Sequence, residues 1–345
     1  MLDRWDRRAL ATSLDANGFI RGSSWRHGGR RGHREWLHFT IHAGDLRVVL
    51  NASFVDDVRP AAEPHRERVR LLALVHDGTD WHGAIDEITD ATAPAGQLTA
   101  RLGELEIAGT GGTFTLRGRC AALELDLTLV PDAFPSVASG VSLGDSPPIN
   151  WLVVPRLLAT GTIVLAGQHH AIADAPAYHD HNWGYFSHHD FAWQWGHDAS
   201  TGPHSVVLAR LLDRAYTTTF MQALLVWRDG RQSRVFRGDE LSIQPEGFLR
   251  PAQPFTLPRE AALLVDNLAT EVPRALHLRA AGGGDELHGT FTAHTLARIV
   301  VPNDDSLTTT LIHEVIGELS LHGSLHGRPF ALEAPAMFEL LGSVR

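Results

Sequence analysis

Lysine is absent from the chain, so all 30 basic residues are arginine. This absence excludes Schiff-base chemistry, a lysine-bound pyridoxal phosphate and the phosphate-binding lysine of a P-loop. The single cysteine, Cys120, excludes an intrachain disulfide framework and favours a reducing compartment. No segment approaches the ~20 apolar residues of a membrane helix, and the first residues lack the apolar core of an export signal. We therefore expect a cytoplasmic protein without a membrane span.

Positive charge is also scarce. The formal net charge is −10, and the 21 histidines do not change its sign at neutral pH. A nucleic-acid partner would need a basic face, so we expect none. With 43% apolar and 20% charged residues over 345 positions, the composition is that of a globular protein with one large or two medium domains.

Alternation with a period of two is the main structural signal in the sequence. Leu37, Phe39 and Ile41 share one face of a predicted strand, and residues 97–130 alternate almost without interruption. Residues 131–148 are rich in proline, serine and glycine and are predicted to form a loop. Only residues 258–270 have helical character. Short strands at this spacing predict an all-β antiparallel sandwich or barrel.

Residues 178–195 concentrate the groups that can carry chemistry. The segment holds two of the three tyrosines, three of the nine tryptophans, four histidines and two aspartates. On a strand, Tyr178 and Asp180 point the same way and place an acid and a hydroxyl on one surface. Desolvation by aromatic neighbours would keep Asp180 protonated, whereas hydrogen bonds from a histidine or an indole would make it a structural carboxylate. Both interpretations stay open, and Glu35, beside Trp36, is the second acidic candidate.

Three further patterns have an ordinary structural alternative. The sequence from Gly140 to Gly144 matches the G-x-S-x-G nucleophile elbow, but prolines follow it where the elbow needs a helix, so a chance match is favoured. His179 and His181, with other histidines nearby, suggest a metal site, but no complete ligand pattern accompanies them, and we expect no metal. The aromatic stripe of Phe191, Trp193 and Trp195 fits either a protein core or the wall of a ligand cavity.

The central heptapeptide, residues 178–184, followed by Trp193-x-Trp195, resembles the signature of the carotenoid 1,2-hydratase-like, or AttH-like, family. The Glu35-Trp36 pair and the segments 317–319 and 338–342 are similar to further motifs of that family, in the same order along the chain. Leu37 replaces the second aromatic of the early motif, and Ile149 occupies the position of a family histidine two residues before Trp151.

The resemblance implies two lipocalin-like antiparallel β-barrel or sandwich domains, 1–186 and 187–345, packed together, with an apolar pocket in or between them and no cofactor. It also implies a hydrophobic terpenoid or polyene substrate, which the protein would hydrate at an alkene or cyclise. Peripheral contact with a membrane, to collect such a lipid-like substrate, stays open.

The candidate residues follow from the motif and the resemblance together. The candidate catalytic residues are Asp180, Tyr178 and His181, and the candidate substrate-binding residues are Trp151, Trp183, Trp193, Trp195, Glu35 and Trp36. The alternative from another class is a non-catalytic, lipocalin-like carrier of a hydrophobic small molecule. Wide solvent access to Asp180, or a pocket lined only by aliphatic side chains, would favour the carrier, and a buried Asp180 that faces the cavity would favour the enzyme.

Overall fold

The computed structural model describes residues 25–26, 33–55, 67–94, 96–110, 113–121, 123–186, 190–251, 254–262, 272–302 and 309–343. The chain forms two compact units. Unit 1 comprises residues 1–140 and 148–186, and unit 2 comprises residues 141–147 and 187–345. Residues 141–147, which the predicted 1–186 domain includes, therefore group with unit 2.

Eleven strands build the first sheet, most of which lies in unit 1. Their order across the sheet is β4-β3-β2-β1-β11-β10-β8-β7-β6-β5, with β9 paired to β10, and all of these pairings are antiparallel where a register is recorded. The strands are β1 (Arg34–Ala43), β2 (Leu46–Val55), β3 (Glu67–His76), β4 (Trp81–Ala91), β5 (Thr99–Leu102), β6 (Leu105–Thr110), β7 (Thr113–Cys120), β8 (Leu123–Pro131), β9 (Ser136–Leu143), β10 (Ser146–Leu165) and β11 (Gln168–Gly184).

Ten strands build the second sheet, in unit 2. Their order is β15-β14-β13-β12-β21-β20-β19-β18-β16, and the short β17 pairs in parallel with β19. The strands are β12 (Phe191–Asp198), β13 (His204–Asp213), β14 (Thr219–Arg228), β15 (Arg231–Arg237), β16 (Leu241–Phe248), β17 (Phe255–Leu257), β18 (Pro273–Gly282), β19 (Asp285–Pro302), β20 (Thr309–Leu325) and β21 (Arg328–Ser343). The predicted all-β, lipocalin-like architecture of two antiparallel units is confirmed.

Alternation along the strands explains where the two cores lie. In β8, the leucines at 123, 125, 127 and 129 are buried and the residues between them are more exposed, as a half-buried strand requires. Leu37, Phe39 and Ile41 of β1 join the same hydrophobic core. A separate core in unit 2 is built from strands that include β13, β19, β20 and β21, among them the stacked pair Phe291 and Phe338. Alternating strands such as β8 thus bury one face of the sheet, whereas β12 is buried on both faces.

Two sequence predictions differ from the structure. The predicted loop 131–148 is wrong, because β9 occupies Ser136–Leu143 and β10 begins at Ser146. Proline is tolerated at the start of a strand, and Pro147 and Pro148 precede the first pairing of β10 with β11, at Ile149. In the region 258–270, a one-turn 3-10 helix forms at Arg259–Ala261, and residues 263–271 lie outside the described part of the chain.

The nucleophile-elbow match lies on this β9–β10 hairpin. Ser142 belongs to β9, Gly144 is in the turn, and β10 follows at once where an elbow needs a helix. The pattern is therefore a chance match. Among the described residues, no helix is long and apolar enough to cross a membrane.

Candidate active site

The central strand β11 sorts the residues of the heptapeptide onto two faces. Side chains alternate along a strand, and cross-strand partners share a face. We call the face that carries the hydrophobic core of unit 1 the core face, and the opposite one the outer face. His179, His181 and Trp183 lie on the core face, because their partners on β1 include the core residues Phe39 and Leu37. Tyr178 and Asp180 lie on the outer face.

On the outer face, Asp180 is the centre of a short hydrogen-bond network. The Tyr178 hydroxyl donates to its Oδ2 at 3.0 Å, and the Asn182 Nδ2 donates to its Oδ1 at 2.9 Å. Asp180 is only 4% exposed and Tyr178 is fully buried. Both recorded bonds use Asp180 as an acceptor, an arrangement that favours the ionised carboxylate. Asp180 is thus oriented by two neutral donors, one on each side of it along β11.

Aromatic and histidine side chains share this outer face. Asn182 has Trp36 as its register partner on β1 and Trp151 as its partner on β10. Two register positions further along, Asp180 has His38 as its partner, and the His38 Nδ1 accepts from Asn51 Nδ2 at 3.3 Å. Trp36 also makes an edge-to-face contact with Phe186, with ring centroids 5.3 Å apart. The outer face therefore carries a polar centre, Asp180 and Asn182, with an indole ring on each neighbouring strand.

On the core face, His181 and Glu35 form a buried pair. The His181 Nε2 lies 2.7 Å from Glu35 Oε1, and the two side chains are 0% and 2% exposed. The backbone N–H of Arg26 donates to both carboxylate oxygens of Glu35, at 2.9 and 3.0 Å. Trp183 packs beside His181 at 4.9 Å between ring centroids, and the Arg26 guanidinium lies 4.8 Å from the Trp183 ring. This pair ties β1 to β11 on the side away from Asp180.

His179 is surrounded by rings on the same core face. Phe39 stacks on it with a centroid distance of 4.3 Å, and Phe114 lies at 4.5 Å. Its Nδ1–H donates to the carbonyl of His38 at 3.0 Å. Burial lowers the pKa of His179 well below its ordinary value, with the nearby His181 adding to the shift. His179 is therefore a neutral structural histidine, in line with the structural alternative considered for this histidine cluster.

In unit 2, a second buried sheet surface carries the tryptophans of β12. Trp193 and Trp195 point away from the core of unit 2, because the alternate residues Gln194 and Gly196 pair with the core residues Leu340 and Phe338. Trp195 is the register partner of Glu339 on β21, which in turn is the partner of Glu314 on β20. The Trp193 Nε1–H donates to Glu339 Oε1.

The two glutamates of this surface form a carboxyl pair. Glu314 is 1% exposed, Glu339 is partly exposed, and the two residues are register partners on β20 and β21. Burial raises the pKa of Glu339 above its ordinary value, while the hydrogen bond from Trp193 opposes that shift. Two carboxylates on adjacent strands repel each other, so this surface disfavours two negative charges.

The structure brings some of the predicted site residues together and separates others. Tyr178 and Asp180 are joined, and Trp36 and Trp151 share their face. His181, Glu35 and Trp183 form a different group on the core face, so His181 and Glu35 do not act beside Asp180. Trp193 and Trp195 lie in unit 2, where their neighbours include Glu314 and Glu339, two glutamates that are not among the predicted site residues.

The missed residues carried only a faint signal in the sequence. Glu339 interrupts the apolar run from Met337 to Leu341, and Glu314 interrupts the run from Leu311 to Ile316. Each glutamate is typical of an outward-facing strand position. Only the register of β20 with β21 shows that they are paired.

No family model matches the chain, and no curated protein matches it. Solved structures do match over nearly the whole length. An AttH of Nitrosomonas europaea is 14% identical, with a TM-score of 0.66, and the alignment covers 94% of this chain and 98% of that one. The expected resemblance is confirmed at the level of the fold. The chain has the AttH-like fold.

Two other solved structures share the AttH-like fold. Kievitone hydratase from Nectria haematococca is 14% identical with a TM-score of 0.61, and the match covers 94% of this chain and 92% of the hydratase. CghA in complex with Sch210972 is 13% identical with a TM-score of 0.61, over 90% of this chain and 88% of CghA. At this identity the match extends to the fold, and the chemistry has to be argued from the side chains.

Proposed function

We propose that the protein is an enzyme that hydrates or cyclises a hydrophobic terpenoid or polyene, without a metal or organic cofactor. The observation that carries the proposal is the Tyr178–Asp180–Asn182 network on a buried face that also holds Trp36 and Trp151. A fold shared with a hydratase supports the same reaction class.

Asp180 is the proton-transfer group of this face. In hydration, a proton from solvent forms the new C–H bond at the alkene, and Asp180, fixed by its two donors, accepts the proton that the attacking water releases. Trp36 and Trp151 offer ring faces that favour a developing carbocation and an apolar chain. In a cyclisation, the same surface would hold the polyene in a reactive conformation, and Tyr178 and Asp180 would polarise a substrate oxygen.

The low exposure of Asp180 excludes the wide solvent access that would favour the carrier. A carrier needs apolar contact area and has no use for a buried, doubly hydrogen-bonded carboxylate, which is costly to desolvate. The geometry around Asp180 is therefore better explained by chemistry than by passive binding.

The test is a turnover assay on Asp180→Asn with linear terpenoids and prenylated aromatics as probes. Mass spectrometry reports the gain of one water, and chromatography reports an isomeric cyclic product. We expect Asp180→Asn to lower turnover on the order of 10²- to 10⁴-fold, as loss of a general acid or base does. Asp174→Asn, an exposed position on the same strand β11, is the matched control and should leave turnover unchanged. Unchanged turnover in Asp180→Asn would remove Asp180 from the reaction, and binding without turnover by the wild type would favour the carrier.

A further inference from the structure

A β-bulge in β10 brings an arginine onto the outer face of unit 1. The register of β10 with β11 is interrupted there, between the pairs Val154–His179 and Leu157–Ala177. Two residues of β10, Pro155 and Arg156, therefore stand opposite the single residue Tyr178. Val154 and Leu157 both belong to the core of unit 1, so the two bulge residues take the outer face. Arg156 thus lies beside Tyr178, on the face of the hydrogen-bond network.

An ion pair with Asp132 holds the guanidinium of Arg156. The Arg156 Nε lies 2.7 Å from Asp132 Oδ2, and the arginine side chain is 9% exposed whereas the aspartate is 45% exposed. The backbone joins the same two residues, because the Asp132 N–H donates to the Arg156 carbonyl at 3.0 Å. A guanidinium stays charged throughout the working pH range, and its planar fork of five N–H donors can bind more than one oxygen acceptor. An enclosed cation of this kind stabilises negative charge that develops on a substrate oxygen.

The state of Asp180 indicates which alkene can react on this face. Tyr178 and Asn182 each donate a hydrogen bond to Asp180, which favours the ionised carboxylate and so a base. A base makes water nucleophilic, but a nucleophile adds to an alkene only when the displaced electron pair has an acceptor. A carbonyl group conjugated with the alkene is such an acceptor, because the negative charge then lies on oxygen. The base and the cation that this addition requires are both on the outer face.

We propose that Arg156 binds the carbonyl oxygen of the substrate, and that the reacting alkene is conjugated with that carbonyl group. The inference rests on the proposed function and narrows its substrate to a terpenoid or polyene that contains an enone. Arg156 is then a catalytic residue, because it touches the oxygen on which charge develops. Trp36 and Trp151 pack against the apolar chain on either side of the reacting group.

The addition needs no reactant other than water. Asp180 takes a proton from water, the water oxygen forms a C–O bond with the β-carbon, and the π electrons move to the carbonyl oxygen, where Arg156 stabilises the enolate. The α-carbon then takes a proton from solvent, the carbonyl group re-forms, and Asp180 returns its proton to solvent. In a cyclisation, the same hydrogen bond withdraws electron density from the alkene and accelerates its reaction with a diene of the same molecule. The cyclic product is an isomer, and neither route oxidises or reduces the substrate.

The first test is the absorption spectrum of a bound enone. Pseudoionone is a linear terpenoid with a conjugated carbonyl group, and a hydrogen bond from a cation to its oxygen moves the absorption band to longer wavelength. We expect this red shift on rapid mixing with the wild type, before turnover, and its loss in Arg156→Met. Arg117→Met is the matched control, because the Arg117 Nε also lies 3.0 Å from an aspartate, Asp126, but is 62% exposed. Thermal melts show whether Arg156→Met is folded, and Arg156→Lys, which keeps the charge without the planar fork, is the second variant and should reduce the shift.

Turnover of two matched ketones provides the second readout. Geranylacetone has the carbon skeleton and the prenyl end of pseudoionone but lacks the conjugated alkene. We expect the wild type to hydrate or cyclise pseudoionone at the conjugated alkene and to leave geranylacetone unchanged. Arg156→Met should lower turnover of pseudoionone on the order of 10²- to 10³-fold, as loss of an oxyanion donor does, with Arg117→Met unchanged.

The outcomes separate this inference from the proposed function. Equal turnover of both ketones at the prenyl end would overturn the carbonyl-binding role of Arg156 and leave the proposed function in place. A wild type without the red shift, or a folded Arg156→Met with the full shift and full turnover, would also overturn that role. A red shift that depends on Arg156, without turnover of either ketone, would support the carbonyl contact and overturn the proposed function.

Discussion

The hydroxyl of Tyr178 donates a 3.0 Å hydrogen bond to Oδ2 of Asp180, and both side chains are buried on the outer face of β11. The two residues are separated by one position, so the period of a strand brings them to the same side. The tyrosine therefore positions Asp180 and stabilises its charge.

Tyr178→Phe should weaken both the fold and the reaction. Loss of a hydrogen bond to a charged group lowers the free energy of unfolding by about 1.5–3 kcal/mol. Turnover should fall, because Asp180 loses one of the two donors that fix it. Tyr185→Phe, at a more exposed tyrosine, is the control for removing a hydroxyl and should change neither quantity. Wild-type turnover in Tyr178→Phe would show that the tyrosine does not position Asp180 for catalysis.

The buried Glu35–His181 pair should contribute more to the free energy of unfolding than an exposed pair with the same N···O distance. Glu35→Gln leaves one oxygen where two accepted from Arg26 and His181, so at least one buried donor loses its acceptor, at about 1–3 kcal/mol. Glu246→Gln is the matched control, because Glu246 also lies 2.7 Å from a histidine, His277, but both are about half exposed. Chemical denaturation should show a clearly lower free energy of unfolding for Glu35→Gln and little change for Glu246→Gln. Equal losses would contradict the structural role of the buried pair.

Acid should destabilise unit 2 through two buried histidines. Burial lowers the pKa of His197 and of His313 to about 4, and for His313 the neighbouring Arg298 adds to the shift. A histidine in the unfolded chain titrates near 6.5, so the unfolded state binds more protons between pH 6.5 and 4, and stability falls as the pH drops through that window. Each of the two histidines lowers the free energy of unfolding by roughly 3 kcal/mol over the whole window.

The measurement is the free energy of unfolding from pH 7 to pH 4.5. His313→Gln should give a smaller loss over that range than the wild type, because one titrating group is gone. His288→Gln, at an exposed position on β19, should keep the wild-type slope. A His313→Gln profile parallel to that of the wild type would place the acid sensitivity elsewhere.

Gly196 has no side chain and so leaves space for the Phe338 ring in the core of unit 2. A Cβ at this position would lie 2.4 Å from carbon atoms of the Phe338 ring, which stacks on Phe291 with a centroid distance of 3.8 Å. Gly196→Ala should lower the free energy of unfolding by about 1–3 kcal/mol through overpacking. Phe338→Leu in the same chain should restore part of the loss, and Gly202→Ala, in an exposed loop, should cost little. Full stability of Gly196→Ala would mean that the ring moves aside without cost.

The alternation of the sequence was enough to predict the strands and their buried faces, but not their pairing. The leucines of β8 and the apolar residues of β1 lie where a period of two places them. Composition misled the prediction at residues 131–148, since proline and glycine indicate a loop on average but are compatible with the two ends of a strand.

Site residues on one strand could be predicted from the sequence, whereas site residues brought together by the register between strands could not. Tyr178 and Asp180 are neighbours on one strand, so their common direction follows from the sequence. His181 belongs to the same heptapeptide, yet the same alternation places it on the core face with Glu35. Glu314 and Glu339 lie on different strands, and a shift of one residue between β20 and β21 would separate them.

The most direct test of the central claim is turnover of a prenyl-bearing substrate in D2O by wild type, Asp180→Asn and Asp174→Asn. The account predicts a hydrated or cyclised product carrying one solvent deuterium from the wild type and from Asp174→Asn. From Asp180→Asn it predicts a rate lower on the order of 10²- to 10⁴-fold. Equal rates for all three proteins, or a product without deuterium, would contradict it.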